Sequence, residues 1–235
     1  MKIGIIGYGK MGKAIERIAL DSGHEIVAIL DENDESFDTL KKADVAIEFT
    51  SPSSAFTNLK KCIDIGVPVL SGTTGWLDQQ PELIEYCKEH DGTYFYASNY
   101  SIGVNLFFKI NELVAELMNS HTEYQPHVEE IHHVHKKDSP SGTGITLAER
   151  MLKHLTNKKN WLEGDSTNSE DLSIYSKRGG EVPGTHSAVY ASEMDNITLT
   201  HTAYTRDSFA LGAIKVAEWL KNKKGILTMS DFMGM

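Results

Sequence analysis

Short apolar runs alternate with stretches of helical period through the first hundred residues. Residues 2–6 are apolar, GYGKMG follows, and Met11, Ala14, Ile15, Ile18 and Ala19 then recur on one side of a helix that stops near Gly23. Further short runs at residues 25–30, 45–49, 67–70 and 94–97 read as strands. Between several of them lie helical patterns, Ala55, Phe56, Leu59, Cys62 and Ile63 before Gly66, then Leu83, Ile84 and Cys87 before Gly92. Strand and helix in alternation predict a parallel, doubly wound sheet. The texture changes after Asn99. A helix over 105–119 carries Leu106, Ile110, Leu113, Val114 and Leu117, and later runs such as Ile197, Leu199 and His201 alternate as antiparallel strands do. A second domain therefore begins near residue 100. Residues 157–171 are polar and read as a loop, and 209–220 form a last amphipathic helix with Ile214, Val216, Ala217 and Leu220. There is no internal repeat.

Composition narrows the class. A chain of 235 residues suits one large domain or two interleaved smaller ones. No apolar run approaches the roughly 20 residues that cross a bilayer. The opening MKIGIIGYGKMG has the form of neither a secretory signal nor a transit peptide. Cys62 and Cys87 are too few for a disulfide framework and lack metal-binding spacing, which fits a reducing cytoplasm. A net charge of -10 disfavours phosphate neutralisation, so nucleic acid is not the expected partner and a small molecule is.

Gly7, Gly9 and Gly12 satisfy G-x-G-x-x-G between a predicted strand and a predicted helix. The first permits the tight turn, the second lets backbone approach a pyrophosphate, and the third lets helix pack on strand, while helix amides face the anion. Asp31 stands 19 residues beyond Gly12, placed to accept from the adenine ribose hydroxyls. Glu32 follows and no arginine adjoins Asp31, which favours NADH over NADPH; Lys10 and Lys13 weaken that preference. FTSPSS and SGTTGW leave two further strands on the same side, so Thr50, Gly72, Thr73 and Thr74 are expected to face the cofactor.

The densest chemistry is HHVHKKDSPSGT, residues 132–143. His132 and His135 invite a zinc reading, but Lys136 and Lys137 would bring positive charge to a metal and no HExxH or cysteine set supports it, so no metal is expected. Ser141 reads as the N-cap of a helix bearing Ile145, Leu147, Ala148, Met151, Leu152 and Leu155. Its free amides would bind a carboxylate near Lys136, and histidine beside them exchanges protons at neutral pH. Anion binding and proton transfer at one place suit hydride transfer to an unsaturated acid.

Glu130 to Thr143, EIHHVHKKDSPSGT, resembles the E-x-H-H-x-x-K-x-D-x-P-S-G-T signature of the 4-hydroxy-tetrahydrodipicolinate reductase (dihydrodipicolinate reductase) family. GYGKMG, EFTSP, SGTTGW, ASNYSIGVN, RGGEVPGTH, the R-x-x-F-A-x-G-A pattern from Arg206 to Ala213 and the terminal MSDFMGM occur in the family's order. The resemblance implies a Rossmann-type domain over 1–99, completed by 207–235, and a central mixed α/β domain over 100–206 that binds substrate and forms a homotetramer. It implies reduction of a small dicarboxylate imine by NADH or NADPH on the diaminopimelate route to lysine. His132 would be the catalytic proton donor or acceptor, Lys136 the second proton donor, and His133, Gly142 and Thr143 substrate contacts. Gly7, Tyr8, Gly9, Lys10, Met11, Gly12, Asp31, Gly72, Thr73, Thr74, Ala97, Ser98, Asn99 and Tyr100 would surround the cofactor. The segment between Asp31 and Ala43 is shorter than in many members, which opens the adenine side. Rival readings are an amino-acid dehydrogenase of the aspartate or homoserine type and a nucleotide sensor without turnover. The roles of Lys177 and Arg206 stay open, and Arg178 and Arg206 read by default as structural ion-pair residues.

Overall fold

The computed structural model describes residues 1–32, 34, 36–205 and 207–234, and the chain divides into two compact units, Met1–Ile102 with Asp207–Met235, and Gly103–Arg206. The first begins with β1 (Lys2–Ile6), α1 (Lys10–Asp21), β2 (Glu25–Leu30), β3 (Val45–Glu48), α2 (Pro52–Asp64), β4 (Val69–Ser71), α3 (Gln80–Glu89) and β5 (Thr93–Tyr96). Pro52 enters α2 at a first-turn position whose missing N–H costs nothing, behind the N-cap Ser51. Every paired strand is parallel, and β1 lies between β2 and β3, so the chain's direction of winding reverses between β1 and β3. In such sheets ligands collect beyond the strands' carboxyl ends at that reversal.

The second unit contains α4 (Ile102–Met118), β6 (Gln125–His132), α5 (Gly142–Leu152), β7 (Asn160–Glu163), β8 (Asp171–Arg178), β9 (Gly184–Ala191) and β10 (Asn196–Ala203). Its sheet runs β10-β9-β6-β8-β7, antiparallel from β10 to β6 and parallel from β6 to β7. The alternation of β6 is strict: Val128, Glu130 and His132 are buried while His127, Glu129 and Ile131 are only partly so. One face therefore packs under α4 and α5, with Phe107, Phe108, Leu147, Met151, Leu172, Ile174 and Tyr190 in a single core.

One expectation needs correction here. The polar segment 157–171 contains β7, an edge strand whose end residues are exposed, so it lacks the apolar signature of a buried strand. In α4 most of the apolar residues that mark its helical period face out: Leu106, Ile110, Leu113 and Leu117 are 46, 49, 53 and 71% exposed. Val104, Phe107, Phe108 and Ala115 make the core contact instead. The helix is apolar on two faces, and periodicity alone does not say which of them turns inward.

The chain then returns to the first unit with α6 (Asp207–Leu220), β11 (Gly225–Thr228) and α7 (Met229–Met233). β11 adds to β5 as a sixth parallel strand. Ala210, Ala213, Ile214, Val216 and Leu220 of α6 share a core with Ile3, Ile5, Ile15, Ile47 and Phe95. Gly212 makes this possible, because a Cβ there would stand 1.8 Å from the carbonyl oxygen of Tyr100. Arg206, the first residue of the R-x-x-F-A-x-G-A pattern, lies outside the described residues.

Candidate active site

In the first unit, β1 ends in a turn that only glycine fits. Gly7 has φ +93°, and a Cβ on it would meet the Phe49 carbonyl oxygen at 2.1 Å. A Cβ on Gly12 would lie 2.2 Å from the Gly7 oxygen, so helix and loop touch through backbone. At Gly9, by contrast, nothing lies within 4 Å of the same position. Open space at the second glycine, beside an α1 start that has no side-chain cap and no acidic residue in its first turn, is a cradle fit for a pyrophosphate. A cleft of about 520 Å³ opens there, lined by Gly7, Tyr8 and Gly9, by Asp31, Glu32 and Asp34 after β2, and by Thr50, Ser51 and Lys61. The residues fit a dinucleotide, with carboxylates where ribose hydroxyls would be held.

Of the sequence-predicted cofactor residues, Gly7, Tyr8, Gly9 and Asp31 line this cleft. Lys10, Met11 and Gly12 form the first turn of α1 behind the loop. Gly72, Thr73 and Thr74 follow β4 and Ala97, Ser98, Asn99 and Tyr100 follow β5, outside the cleft's lining. One group ties the loops after β3 and β4 together. Glu48, fully buried at the end of β3, accepts from the Thr50 amide at 3.0 Å, the Thr50 hydroxyl, the Ser71 hydroxyl at 2.5 Å and the Thr73 hydroxyl at 2.8 Å. Tyr100, also buried, donates to the Ser71 carbonyl at 2.7 Å. Gly72 turns between them because a Cβ would meet the Phe49 ring at 2.1 Å.

In the second unit the parity of β6 sends Glu130 and His132 to the same buried face. Glu130 accepts from the Ser141 amide at 2.9 Å and from the Ser141 hydroxyl, while that hydroxyl accepts from the Gly144 amide at 3.0 Å as the N-cap of α5. His186, directly across from Glu130 on β9, brings Nε2 to 3.1 Å from the same hydroxyl. Burial works against the Glu130 charge, but the His186 ring, whose Nε2 stands 3.6 Å from Oε2, and the hydrogen bonds from Ser141 outweigh it and hold the carboxyl down at about 2.

His132 is 6% exposed, with Nδ1 unpartnered and 3.8 Å from Glu130 Oε1. Burial, then the neighbouring His186, lowers its pKa to about 4, against the opposing pull of Glu130. Its ring therefore sits neutral at pH 7. Gly184 clears room for it, since a Cβ there would come within 3.2 Å of Nε2. Lys136 holds both oxygens of Asp138, at 2.9 and 2.8 Å, and its hydrogen bond keeps the Asp138 carboxyl below the usual range. Arg178 pins the same loop by donating to the Asp138 carbonyl at 2.7 Å. Gly142 and Thr143 occupy the first turn of α5, whose leading amides have no helical acceptor, and His133 follows the end of β6. Lys177 pairs with Glu129 at 3.7 Å on the opposite face.

Glu130, His132 and His186 could each offer one ligand atom within 4.8 Å of the others. Glu130's oxygens are already engaged by Ser141, and Lys136 and Arg178 stand near, so the donor set reads as a hydrogen-bond network. Sequence reasoning missed Glu48, Glu130, Ser141's bond to Glu130, and His186. The i, i+2 spacing of Glu130 and His132 on a strand was the available signal for one of them; the cross-strand register that brings His186 to them has no local signal.

Comparison with known proteins points one way. The dihydrodipicolinate reductase N-terminus profile matches residues 1–100 and the C-terminus profile matches residues 103–233. The chain is 46% identical over 234 residues to a 4-hydroxy-tetrahydrodipicolinate reductase of Christiangramia forsetii, covering 99% of this chain and 98% of that protein. A second such reductase, from Neisseria meningitidis, is 33% identical over 94% of this chain and 84% of its own. The solved dipicolinate-bound dihydrodipicolinate reductase from Paenisporosarcina sp. TG-14 superposes with TM-score 0.78 at 22% identity, over 98% of each chain. Aspartate dehydrogenase from Thermotoga maritima shares the fold at TM-score 0.51 and 11% identity, over 95% of this chain and 97% of that one.

Proposed function

This chain belongs to the dihydrodipicolinate reductase family, and on that premise we propose that it reduces 4-hydroxy-tetrahydrodipicolinate to tetrahydrodipicolinate with NAD(P)H, on the diaminopimelate route to lysine. The observation that carries the reading is the second unit's buried imidazole beside a serine-capped helix start. The substrate is a ring with two carboxylates; one carboxylate meets the amides of Gly142 and Thr143, where the helix dipole favours negative charge. His133 gives a second polar contact. Lys136 leaves Asp138 for the incoming acid, so its ammonium exchanges one carboxylate for another at little cost. His132, neutral and shielded from water, takes or gives the proton that accompanies loss of the ring hydroxyl, and Lys136 protonates the leaving oxygen or the nascent enamine.

The first unit's glycine cradle and carboxylate-lined cleft would hold the dinucleotide through Gly7, Gly9 and Asp31, with Gly12 closing helix onto loop. When bound, the reduced nicotinamide supplies the hydride. Asp31, Glu32 and Asp34 along the cleft favour free ribose hydroxyls over a 2′-phosphate, which supports NADH as the better coenzyme, with Lys61 as the cleft's cation. The apolar outer stripe of α4 supports assembly of the chain as a homotetramer through its second unit. Among the described residues no helix is long and apolar enough to cross a membrane. Steady-state oxidation of NADH and NADPH with freshly generated 4-hydroxy-tetrahydrodipicolinate tests the reading; absence of turnover with either coenzyme would remove it.

A further inference from the structure

Counting donors around Ser141 leaves one arrangement. Its hydroxyl hydrogen goes to Glu130 Oε2, and one lone pair accepts the Gly144 amide at 3.0 Å. The remaining lone pair faces His186 Nε2 at 3.1 Å, so that nitrogen must carry a hydrogen. Glu130 Oε1 meanwhile takes the Ser141 backbone amide at 2.9 Å. All three side chains are almost wholly enclosed: Glu130 is 0%, Ser141 2% and His186 5% exposed. Glycine at 144 is part of the arrangement, because a Cβ there would lie 2.5 Å from Glu130 Oε2. The His186 ring in turn stands edge-on to His132, with centroids 4.9 Å apart.

We propose that Glu130 is a positioning residue for the reaction: its single carboxylate clamps the anion-binding start of α5 to β6, fixes the proton on His186 Nε2, and through that ring seats His132. The proposal rests on the reductase reading for its kinetic consequence only. It predicts an inversion in Glu130→Gln. The Ser141 backbone amide cannot turn around, so the glutamine oxygen must stay at the Oε1 position and its NH2 must face the Ser141 hydroxyl. That NH2 fills the lone pair His186 was using; the hydroxyl then donates to His186 Nε2, and the proton moves to Nδ1.

Nitrogen-15 NMR of labelled histidine reads this without substrate. The wild type is expected to show His186 protonated at Nε2, and Glu130→Gln to show it protonated at Nδ1. In the same variant kcat is expected to fall on the order of 100-fold, the low end of what a positioned proton-transfer group supplies, with a smaller change in KM. Ser141→Ala, which removes the clamp's hydroxyl and spares both ionisable groups, is expected to raise KM for the acid more than it lowers kcat, and it decides the matter if the glutamine variant does not fold. An unchanged His186 protonation site in folded Glu130→Gln, or KM and kcat of Ser141→Ala both within about twofold of wild type, would overturn the proposal. If the wild type failed to oxidise either coenzyme, the reductase reading would fall while the NMR result still judged the clamp.

Discussion

Removing Glu48 should loosen two loops at once, and the size of the effect depends on what replaces it. The carboxylate takes four donors, three of them on Oε1: the Thr50 amide and hydroxyl and the Thr73 hydroxyl. In Glu48→Gln the amide oxygen keeps that position, and the NH2 faces Ser71, whose hydroxyl rotates to accept. What is lost is the charge assistance of the bonds, partly offset by no longer burying a charge, for a net loss of about 1–2 kcal/mol. Glu48→Ala leaves the buried Ser71 and Thr73 hydroxyls without their acceptor, while the Thr50 hydroxyl lies in the cleft lining where water can reach it. At about 1–3 kcal/mol for each group left unsatisfied, with the Thr50 amide still served by Thr73 Oγ1 at 2.8 Å, the loss is about 4 kcal/mol. For a chain of this length that corresponds to a fall in Tm of roughly 8–16 °C. Thermal and urea unfolding followed by tryptophan fluorescence would measure it, since Trp76 of this unit is itself hydrogen-bonded to the Thr73 carbonyl at 2.8 Å. An alanine variant within about 1 kcal/mol of wild type would refute the claim that this carboxylate organises the cleft's loops.

Lys136→Ala should lower kcat by about 10²–10⁴-fold and leave the NADH dissociation constant, measured by fluorescence titration, within about twofold. His132 should make stability fall with acid. Its folded pKa of about 4 lies below the ordinary 6.5, so the unfolded chain binds its proton first, and stability drops as pH falls from 6.5 towards 4 by up to roughly 3 kcal/mol. Urea unfolding of His132→Gln across that range should show a correspondingly flatter profile. Glu130 adds a second loss at lower pH, as the medium passes from 4.5 towards its folded value of about 2. Gly212→Ala should cost at least about 2 kcal/mol, despite alanine's better helix propensity, because its Cβ would meet the Tyr100 oxygen at 1.8 Å; a thermal melt unchanged from wild type would contradict this.

The parallel sheet was legible because its central strands are buried and read as short apolar runs, as β1 and the first three residues of β3 do. The three glycines were legible because strand, turn and helix adjoin in sequence. The second unit was harder. Its strands carry buried polar residues such as Glu130, His132 and His186 on the inward face, where a hydrophobic pattern expects Val or Ile. The apolar outward residues of α4 mark a helix without marking its inner face: Leu113 and Leu117 obey helical period yet belong to a surface that this chain does not cover. His132 and Lys136 were found through one dense motif, whereas His186 lies 54 positions beyond His132 and meets it only through the β6–β9 register. Each unit proves to organise its loops on one buried strand carboxylate, Glu48 in the first and Glu130 in the second. A solvent-facing carboxylate would have looked the same in sequence.

The most direct test of the account is reduction of freshly generated 4-hydroxy-tetrahydrodipicolinate by NADH carrying deuterium at the transferable position, with the product examined by mass spectrometry and NMR. The account predicts one deuterium at ring C4 of tetrahydrodipicolinate from the wild-type chain and label incorporation slowed strongly in Lys136→Ala. Coenzyme oxidation that leaves the product unlabelled, or labelling at an undiminished rate without Lys136, would contradict it.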